Sequence, residues 1–193
     1  LMLAAYDVET VYRKRQAYYA LAASYVRRLT ELPTGNYMVF FSSYKYLQEV
    51  AAHLPPDMLE DTVFVQPATK NPDIRERFLS GFVENPEKTR IGLCVLGGIF
   101  SEGIDLTGSR LSGVIIVGVG LPMVCRENEI IRTAIDRKEE GEGFRRAYVF
   151  PGINKVLQAA GRVIRTAEDR GFVVLLDERY RRYEYETLLA EAY

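Results

Sequence analysis

Short runs of consecutive apolar residues constrain the fold of this chain more than any other feature of its sequence. Such runs occupy residues 37–41 (YMVFF), 91–96 (IGLCVL), 114–117 (VIIV) and 172–176 (FVVLL), and a shorter one occupies residues 62–65 (TVFV). Continuous runs without polar alternation are typical of strands that are buried on both faces of a parallel sheet. The runs therefore predict five strands of a mainly parallel sheet.

Helical patterns separate the predicted strands. They cover residues 45–53, a segment that opens at Asn71-Pro72, residues 123–140, a segment around residues 153–165, and residues 179–192. Alternating strands and helices favour an α/β fold with helices on both faces of the sheet. In such sheets ligands bind beyond the carboxyl ends of the strands.

The beginning of the chain has a different pattern. Residues 4–31 contain no Gly or Pro, and their apolar residues recur at helical spacing. A break follows at Pro33-Thr34-Gly35. We therefore interpret residues 1–34 as a helical lead-in from an upstream domain that is missing here, and residues 35–193 as the main domain.

Composition limits the class of protein. The chain has 193 residues, 48% of them hydrophobic and 26% charged, and a net charge of −1, which is ordinary for a globular domain and argues against a wholly basic nucleic-acid binder. No apolar run approaches the roughly 18 residues needed to span a membrane. Cys94 and Cys125 lack metal-site spacing, so a reducing cytoplasm is the simplest compartment.

Residues 158–165 (QAAGRVIR) have the most specific polar pattern. At about 100° per residue, Gln158, Arg162 and Arg165 fall on one face of a helix, and apolar residues cover the opposite face. Gly161 costs a helix roughly 1 kcal/mol relative to Ala, which suggests that another group approaches the backbone there. Paired guanidiniums suit a polyphosphate. An amphipathic surface helix with solvated arginines explains the same spacing.

A glycine-rich stretch, residues 97–106 (GGIFSEGIDL), follows the third apolar run. Ser101, Glu102 and Asp105 supply polar groups, and the glycines permit close approach of the backbone to a ligand. A carboxylate in this loop can accept a hydrogen bond from a ribose hydroxyl, and free N–H groups can meet phosphate oxygens. A glycine-rich turn with Asp105 capping the next segment is the alternative.

Taken together, residues 40–44 (FFSSY), 98–105 (GIFSEGID) and 158–165, followed by residues 169–171 (DRG), resemble motifs IV, V and VI of superfamily 2 helicases. They look like the iron–sulfur branch that contains the bacterial DinG and eukaryotic XPD proteins. The resemblance covers residues 36–179. It implies a three-layer RecA-like domain, the second of two motor domains in an ATP-dependent DNA helicase.

The resemblance also implies roles for individual residues at the nucleotide. Arg162 and Arg165 correspond to the arginine fingers that reach the γ-phosphate, and Gln158 to the glutamine that leads the motif. Asp105 corresponds to the aspartate that faces the ribose, and Gly103 to a backbone contact. Glu102, in the same loop, is a further candidate for nucleotide binding.

For nucleic acid, the resemblance places Ser42, Ser43 and Ser101 against the backbone of a single DNA strand. Tyr44 stands beside this loop and can stack on a base. The alternative is that the serines cap the following helix and Tyr44 packs in the core. Asp169 and Arg179 also match family positions, and we interpret them as a turn and a strand-end ion pair.

Several family features have no counterpart in this chain. The phosphate-binding loop, the Mg²⁺ motif and the four cluster-binding cysteines belong to the first motor domain and its insertions. The resemblance therefore implies that ATP and Mg²⁺ are bound mainly by that domain, and that an iron–sulfur cluster is possible in the full-length protein but not here. The expected partners are single-stranded DNA and the upstream RecA-like domain. A noncatalytic RecA-like binding or docking module is the alternative function.

Overall fold

The computed structural model describes residues 1–69, 71–98, 106, 108–163 and 169–190. Its strands are β1 (Met2–Ala5), β2 (Asn36–Phe41), β3 (Val63–Val65), β4 (Arg90–Val95), β5 (Gly113–Val117) and β6 (Phe172–Leu176). Its α-helices are α1 (Tyr19–Arg28), α2 (Tyr44–Ala51), α3 (Pro56–Asp61), α4 (Pro72–Ser80), α5 (Arg126–Asp136), α6 (Glu142–Phe144), α7 (Phe150–Ala160) and α8 (Tyr183–Ala190). In the part of the chain that the structure describes, no helix has the length and apolar character needed to cross a bilayer.

The six strands form one sheet in the order β1-β6-β5-β2-β4-β3, and every neighbouring pair is parallel. The central strand β2 is buried along its whole length, and it pairs with β4 on one side and β5 on the other. This arrangement confirms the predicted α/β fold. The unbroken apolar runs are explained by burial of both sheet faces.

Helices cover both faces of the sheet, and alternate residues of each strand supply two cores. One face includes Met38 and Phe40 of β2 and packs against α7 and α8. The other includes Val39 and Phe41 and packs against α1, α2 and α3. The result is the three-layer arrangement that the sequence and the family resemblance predicted.

The predicted helix over residues 4–31 is wrong at its beginning. Met2–Ala5 is instead strand β1, which pairs in parallel with Val173–Leu176 of β6 at the edge of the sheet. Only Tyr19–Arg28 forms an α-helix, with short 3-10 turns on either side. Leu and Ala favour helices intrinsically, but pairing with β6 overrides that weak preference. The helical lead-in therefore also contributes an edge strand to the sheet.

The predicted helix around residues 153–165 is also shorter than expected. The α-helix α7 ends at Ala160, and Gly161 is its C-cap. The N–H groups of Arg162 and Val163 then bond to Ala159 and Ala160, three residues back, at 3.2 and 3.1 Å. Such tighter bonds are common where a helix ends. Arg162 therefore lies in the turn after the helix.

Candidate functional site

The carboxyl ends of the central strands lie at one edge of the sheet. Phe41 of β2 is in register with Val95 of β4 and with Val117 of β5, and Val117 is in register with Leu176 of β6. The segments that follow these four residues therefore begin side by side. This carboxyl edge is where a parallel sheet of this kind binds ligands.

The loop of residues 42–44 leaves β2 at this edge and enters α2. Ser42 is exposed. Tyr44 is partly exposed at the first position of the helix, and its side chain makes no hydrogen bond or ring contact with the residues that the structure describes. The Ser43 hydroxyl accepts a hydrogen bond from the N–H of Tyr46 at 3.2 Å, so Ser43 is the N-cap of α2. Ser42 and Tyr44 thus face outward at the edge, whereas Ser43 has a structural partner.

Replacing Ser43 with Ala should destabilise the domain, because the first turn of α2 loses its cap. We expect a loss of about 1 kcal/mol, the usual effect of removing a serine cap. Ser42→Ala is the matched control, since Ser42 is exposed, and it should change the free energy of unfolding by less than about 0.5 kcal/mol. Urea titrations of both variants measure the difference. Equal stability of the two variants would contradict the capping role.

A buried polar cluster holds the end of β6 at the same edge. Asp177 accepts hydrogen bonds from Arg179 at 2.8 Å through both carboxylate oxygens, and Thr10 also donates to it. Burial alone would lower the pKa of the Arg179 guanidinium, but the hydrogen bond to Asp177 and its charge more than offset this, so that pKa is raised. The interpretation of Arg179 as one member of a strand-end ion pair is confirmed.

Helix α7 begins at the carboxyl edge and runs back across the sheet. A Cβ at Gly120, just after β5, would lie 2.6 Å from the carbonyl oxygen of Gly152, so the start of α7 packs closely on this edge. A Cβ at Gly171, just before β6, would lie 2.3 Å from Cγ1 of Val163. The turn that follows α7 therefore lies at the amino edge, and a helix of this length rises about 16 Å between the two edges.

The predicted site residues consequently separate into two groups. Ser42, Ser43 and Tyr44 lie at the carboxyl edge, and Arg162 lies in the turn at the far end of α7. Gln158 is exposed on the last turn of α7, and Arg162 is partly buried beyond it. Gln158 and Arg162 therefore lie near each other at the end of α7, and neither of them lies at the carboxyl edge.

Five further candidates, Ser101, Glu102, Gly103, Asp105 and Arg165, lie outside the described residues. The glycine predicted to mark a close approach is described, however. Among the described residues, a Cβ at Gly161 would meet only atoms of its own helix, with the carbonyl oxygen of Leu157 at 3.2 Å. No described residue from outside the helix therefore covers Gly161, the residue before Arg162, which fits the approach of a phosphate group.

Two features at the carboxyl edge were missed from the sequence. Lys155 of α7 lies over the beginning of the glycine-rich loop, because a Cβ at Gly97 would be 3.1 Å from its Cδ. The second is the basic and aromatic run Tyr12-Arg13-Lys14-Arg15, whose last residue is buried against Tyr46 of α2. The run is visible in the sequence, but the predicted helix over residues 4–31 did not place it at the carboxyl edge of the sheet.

Among the described residues, no group of three or more His, Cys, Asp or Glu side chains is arranged to hold a metal ion. Cys94 is fully buried within β4, where burial raises the pKa of its thiol, and Cys125 is the residue before α5. Iron–sulfur clusters are held by sets of cysteine thiolates, so these two residues do not fit one.

Comparison with known proteins finds helicases among the relatives of this chain. The chain is 29% identical over 192 residues to the regulator of telomere elongation helicase 1 homolog of Caenorhabditis elegans, which covers 87% of this chain and 19% of that protein. It is 30% identical over 148 residues to the ATP-dependent DNA helicase DinG of Photobacterium profundum, covering 76% and 21%. The chain thus spans about a fifth of the length of these relatives.

Solved structures and a family model agree with this result. A structure of apo XPD superposes with a TM-score of 0.78 at 23% identity, over 98% of this chain and 38% of that one, which establishes the shared fold. The family model described as the helicase C-terminal domain matches residues 26–193. The chain therefore belongs to the helicase C-terminal domain family, in the DinG/XPD-like group that its three motifs indicated.

Proposed function

We propose that this chain is the second motor domain of an ATP-dependent DNA helicase that includes an upstream RecA-like domain. The observation that carries the proposal is the match of residues 26–193 to the helicase C-terminal domain. The relatives named as DNA helicases are several times longer than this chain, which supports the view that a domain of this kind works with other parts of the same polypeptide.

In this proposal, the turn after α7 presents its arginines to the nucleotide. Apolar residues of α7, including Ile153, Val156 and Ala160, anchor the helix in the core, so the turn at its end has a fixed position. No described residue outside α7 covers the backbone at Gly161, and this backbone and the adjacent Arg162 guanidinium suit phosphate oxygens. Arg165 completes the pair, and Gln158 contributes an exposed amide on the last turn of the helix.

ATP, when bound, supplies the phosphoryl group whose hydrolysis drives movement, and most of its contacts and its Mg²⁺ ligands belong to the upstream domain. Arginines that stabilise the charge of the transition state contribute mainly to rate. We propose Asp105, Gly103 and Glu102 as the contacts of this domain with the ribose side of the nucleotide. Arg162 and Arg165 then act only when the two domains close.

The carboxyl edge is proposed as part of the track for single-stranded DNA. Ser42 offers an exposed hydroxyl, and Ser43 retains its hydroxyl proton for donation while its oxygen caps α2. Ser101 is proposed to extend the same contact from the neighbouring strand, and Tyr44 offers a partly exposed ring for a base. Such contacts hold the backbone and do not read the sequence.

The test compares this chain with the full-length protein. The chain alone should hydrolyse ATP no faster than a buffer blank, with or without single-stranded DNA, because it contains no phosphate-binding loop. The full-length protein should hydrolyse ATP, and single-stranded DNA should stimulate it. Turnover by the isolated chain would contradict the proposal. A full-length protein that binds DNA without DNA-stimulated turnover would instead indicate a noncatalytic RecA-like module.

A further inference from the structure

A cluster of two tyrosines and one arginine lies beside the loop of residues 42–44. The Arg15 guanidinium carbon is 4.7 Å from the ring centroid of Tyr12 and 4.6 Å from that of Tyr46. The three residues differ in exposure: Tyr46 is 0% exposed, Arg15 is 7% exposed and Tyr12 is 73% exposed. The cluster therefore begins in the core and ends in a ring that is open to solvent.

Tyr46 fixes the position of this cluster at the carboxyl edge. Its ring packs against Phe41 at the end of β2 and against Tyr19 of α1, with centroids 5.6 Å apart in each case. Its N–H donates to the Ser43 cap. A continuous series of contacts thus joins the exposed Tyr12 ring to the loop that we propose as part of the DNA track.

Arg15 is a buried cation that has no carboxylate partner among the residues that the structure describes. Its Nε is buried and has no hydrogen-bond acceptor among the residues that the structure describes, and no Asp or Glu oxygen of those residues lies within 4.0 Å of its guanidinium. The two ring faces offset part of the desolvation through cation–π contact. Because no carboxylate of the described residues neutralises it, the positive charge of Arg15 contributes to the electrostatic potential at the nearby surface.

The neighbouring residues add further positive charge. Lys14 pairs with Glu9 at 3.0 Å, whereas Arg13 is exposed and has no ion pair within the described part of the chain. Within the described part of the chain, Arg13 and Arg15 are therefore two cations without an ion pair, on either side of one salt bridge. This combination, an exposed aromatic ring with cations next to it, is the chemistry that single-stranded nucleic acids require: a flat surface for a base and charges for its phosphates.

We propose that Tyr12, Arg13 and Arg15 form a stacking and phosphate-binding subsite for single-stranded nucleic acid that extends the track beyond Ser42 and Tyr44. The inference rests on the proposed helicase function. Tyr12 stacks on one base, Arg13 contacts a phosphate directly, and Arg15 holds the Tyr12 ring and adds its charge to the potential at the adjacent phosphate. The contact is independent of sequence, because every base has a face on which an aromatic ring can stack.

The stacking step is tested in the full-length protein with a labelled oligo-dT strand. Tyr12→Ala should weaken binding about 5- to 100-fold, the range that loss of one stacked base implies, whereas Tyr12→Phe should bind within about twofold of wild type, because it keeps the ring. Tyr183→Ala is the matched control, since Tyr183 is 82% exposed at the start of α8, the helix that covers the opposite face of the sheet. It should bind as wild type does.

A second strand that carries abasic positions separates stacking from a change in fold. On this strand, Tyr12→Ala and wild type should bind with equal affinity, because no base is present to stack. Equal binding of Tyr12→Ala, Tyr183→Ala and wild type to oligo-dT would overturn the subsite. A wild-type protein that fails to bind oligo-dT at all would count against the proposed function itself, so the two failures are distinguishable.

The phosphate step is tested by the salt dependence of binding. Arg13→Gln should reduce the slope of log affinity against log salt by about 0.7, the change expected for one lost phosphate contact on a single strand. Arg77→Gln is the control, because Arg77 is an exposed arginine of α4, which packs on the other face of the sheet, and its slope should equal that of wild type. An unchanged slope in Arg13→Gln would remove this residue from the path of the strand.

Discussion

Replacing Arg162 or Arg165 with Ala should reduce ATP hydrolysis by the full-length protein by about 10³- to 10⁵-fold, the contribution of arginine fingers in comparable enzymes. The reason is that a guanidinium aimed at the transferring phosphoryl group stabilises charge that develops only in the transition state. Binding of the nucleotide in its ground state should change little, because in the proposed function the upstream domain supplies most of that binding. Single-turnover hydrolysis and equilibrium binding of a fluorescent ATP analogue measure the two effects separately.

Arg77→Ala is the matched control for this experiment. It removes an exposed arginine from helix α4, which is remote in sequence from the turn after α7. Its turnover should equal that of wild type. If Arg162→Ala and Arg165→Ala both retained wild-type turnover, the proposed catalytic role of the two arginines would be wrong.

Replacing Asp177 with Ala should destabilise this chain by about 3–5 kcal/mol, because it removes one partner of a buried charge pair. The Asp177 side chain is fully buried, and that of Arg179 is only 13% exposed. Without the carboxylate, the Thr10 hydroxyl loses its acceptor at the end of β6, and the guanidinium loses its bonds to Asp177 while keeping the one to Thr10. The denaturant concentration at the midpoint of unfolding should fall. Most of the loss of stability should come from the buried Arg179 charge, which loses its carboxylate partner in this variant.

Glu178→Ala provides the comparison for an exposed pair one residue away. Glu178 contacts Arg182 at 3.3 Å, and the Arg182 side chain is 59% exposed. Exposed pairs of this kind contribute about 0–1 kcal/mol, so this variant should unfold nearly as wild type does. A similar loss of stability in both variants would mean that the Asp177 cluster does not hold the carboxyl edge together.

The sequence predicted the sheet because each central strand carries its own signal. Residues 37–41 and 114–117 are apolar without alternation, and only a strand buried on both faces needs that pattern. The Asn71-Pro72 start of a helix was also predicted correctly, since Asn71 accepts from the N–H of Asp73 as a cap should. Local signals of this kind require no knowledge of distant residues.

The edge strand β1 could not be predicted in the same way. Met2–Ala5 is rich in residues that favour helices, and it becomes a strand because β6 offers a parallel partner 171 residues later in the chain. The end of helix α7 could not be predicted correctly for a related reason. Helical spacing continues through Arg165 in the sequence, but the α-helix ends at Ala160, where Gly161 caps it and the chain tightens towards the amino edge of the sheet.

For the candidate site, the sequence by itself determined the family and the identities of the residues that we propose at the nucleotide and the DNA. Their motifs are contiguous, so no tertiary information was required to find them. Only the tertiary structure decided that Arg162 lies a helix length from the carboxyl edge. It also decided that Arg15 is buried between Tyr12 and Tyr46. Burial and contact depend on which distant segments pack together, and no local pattern in a single chain records that packing.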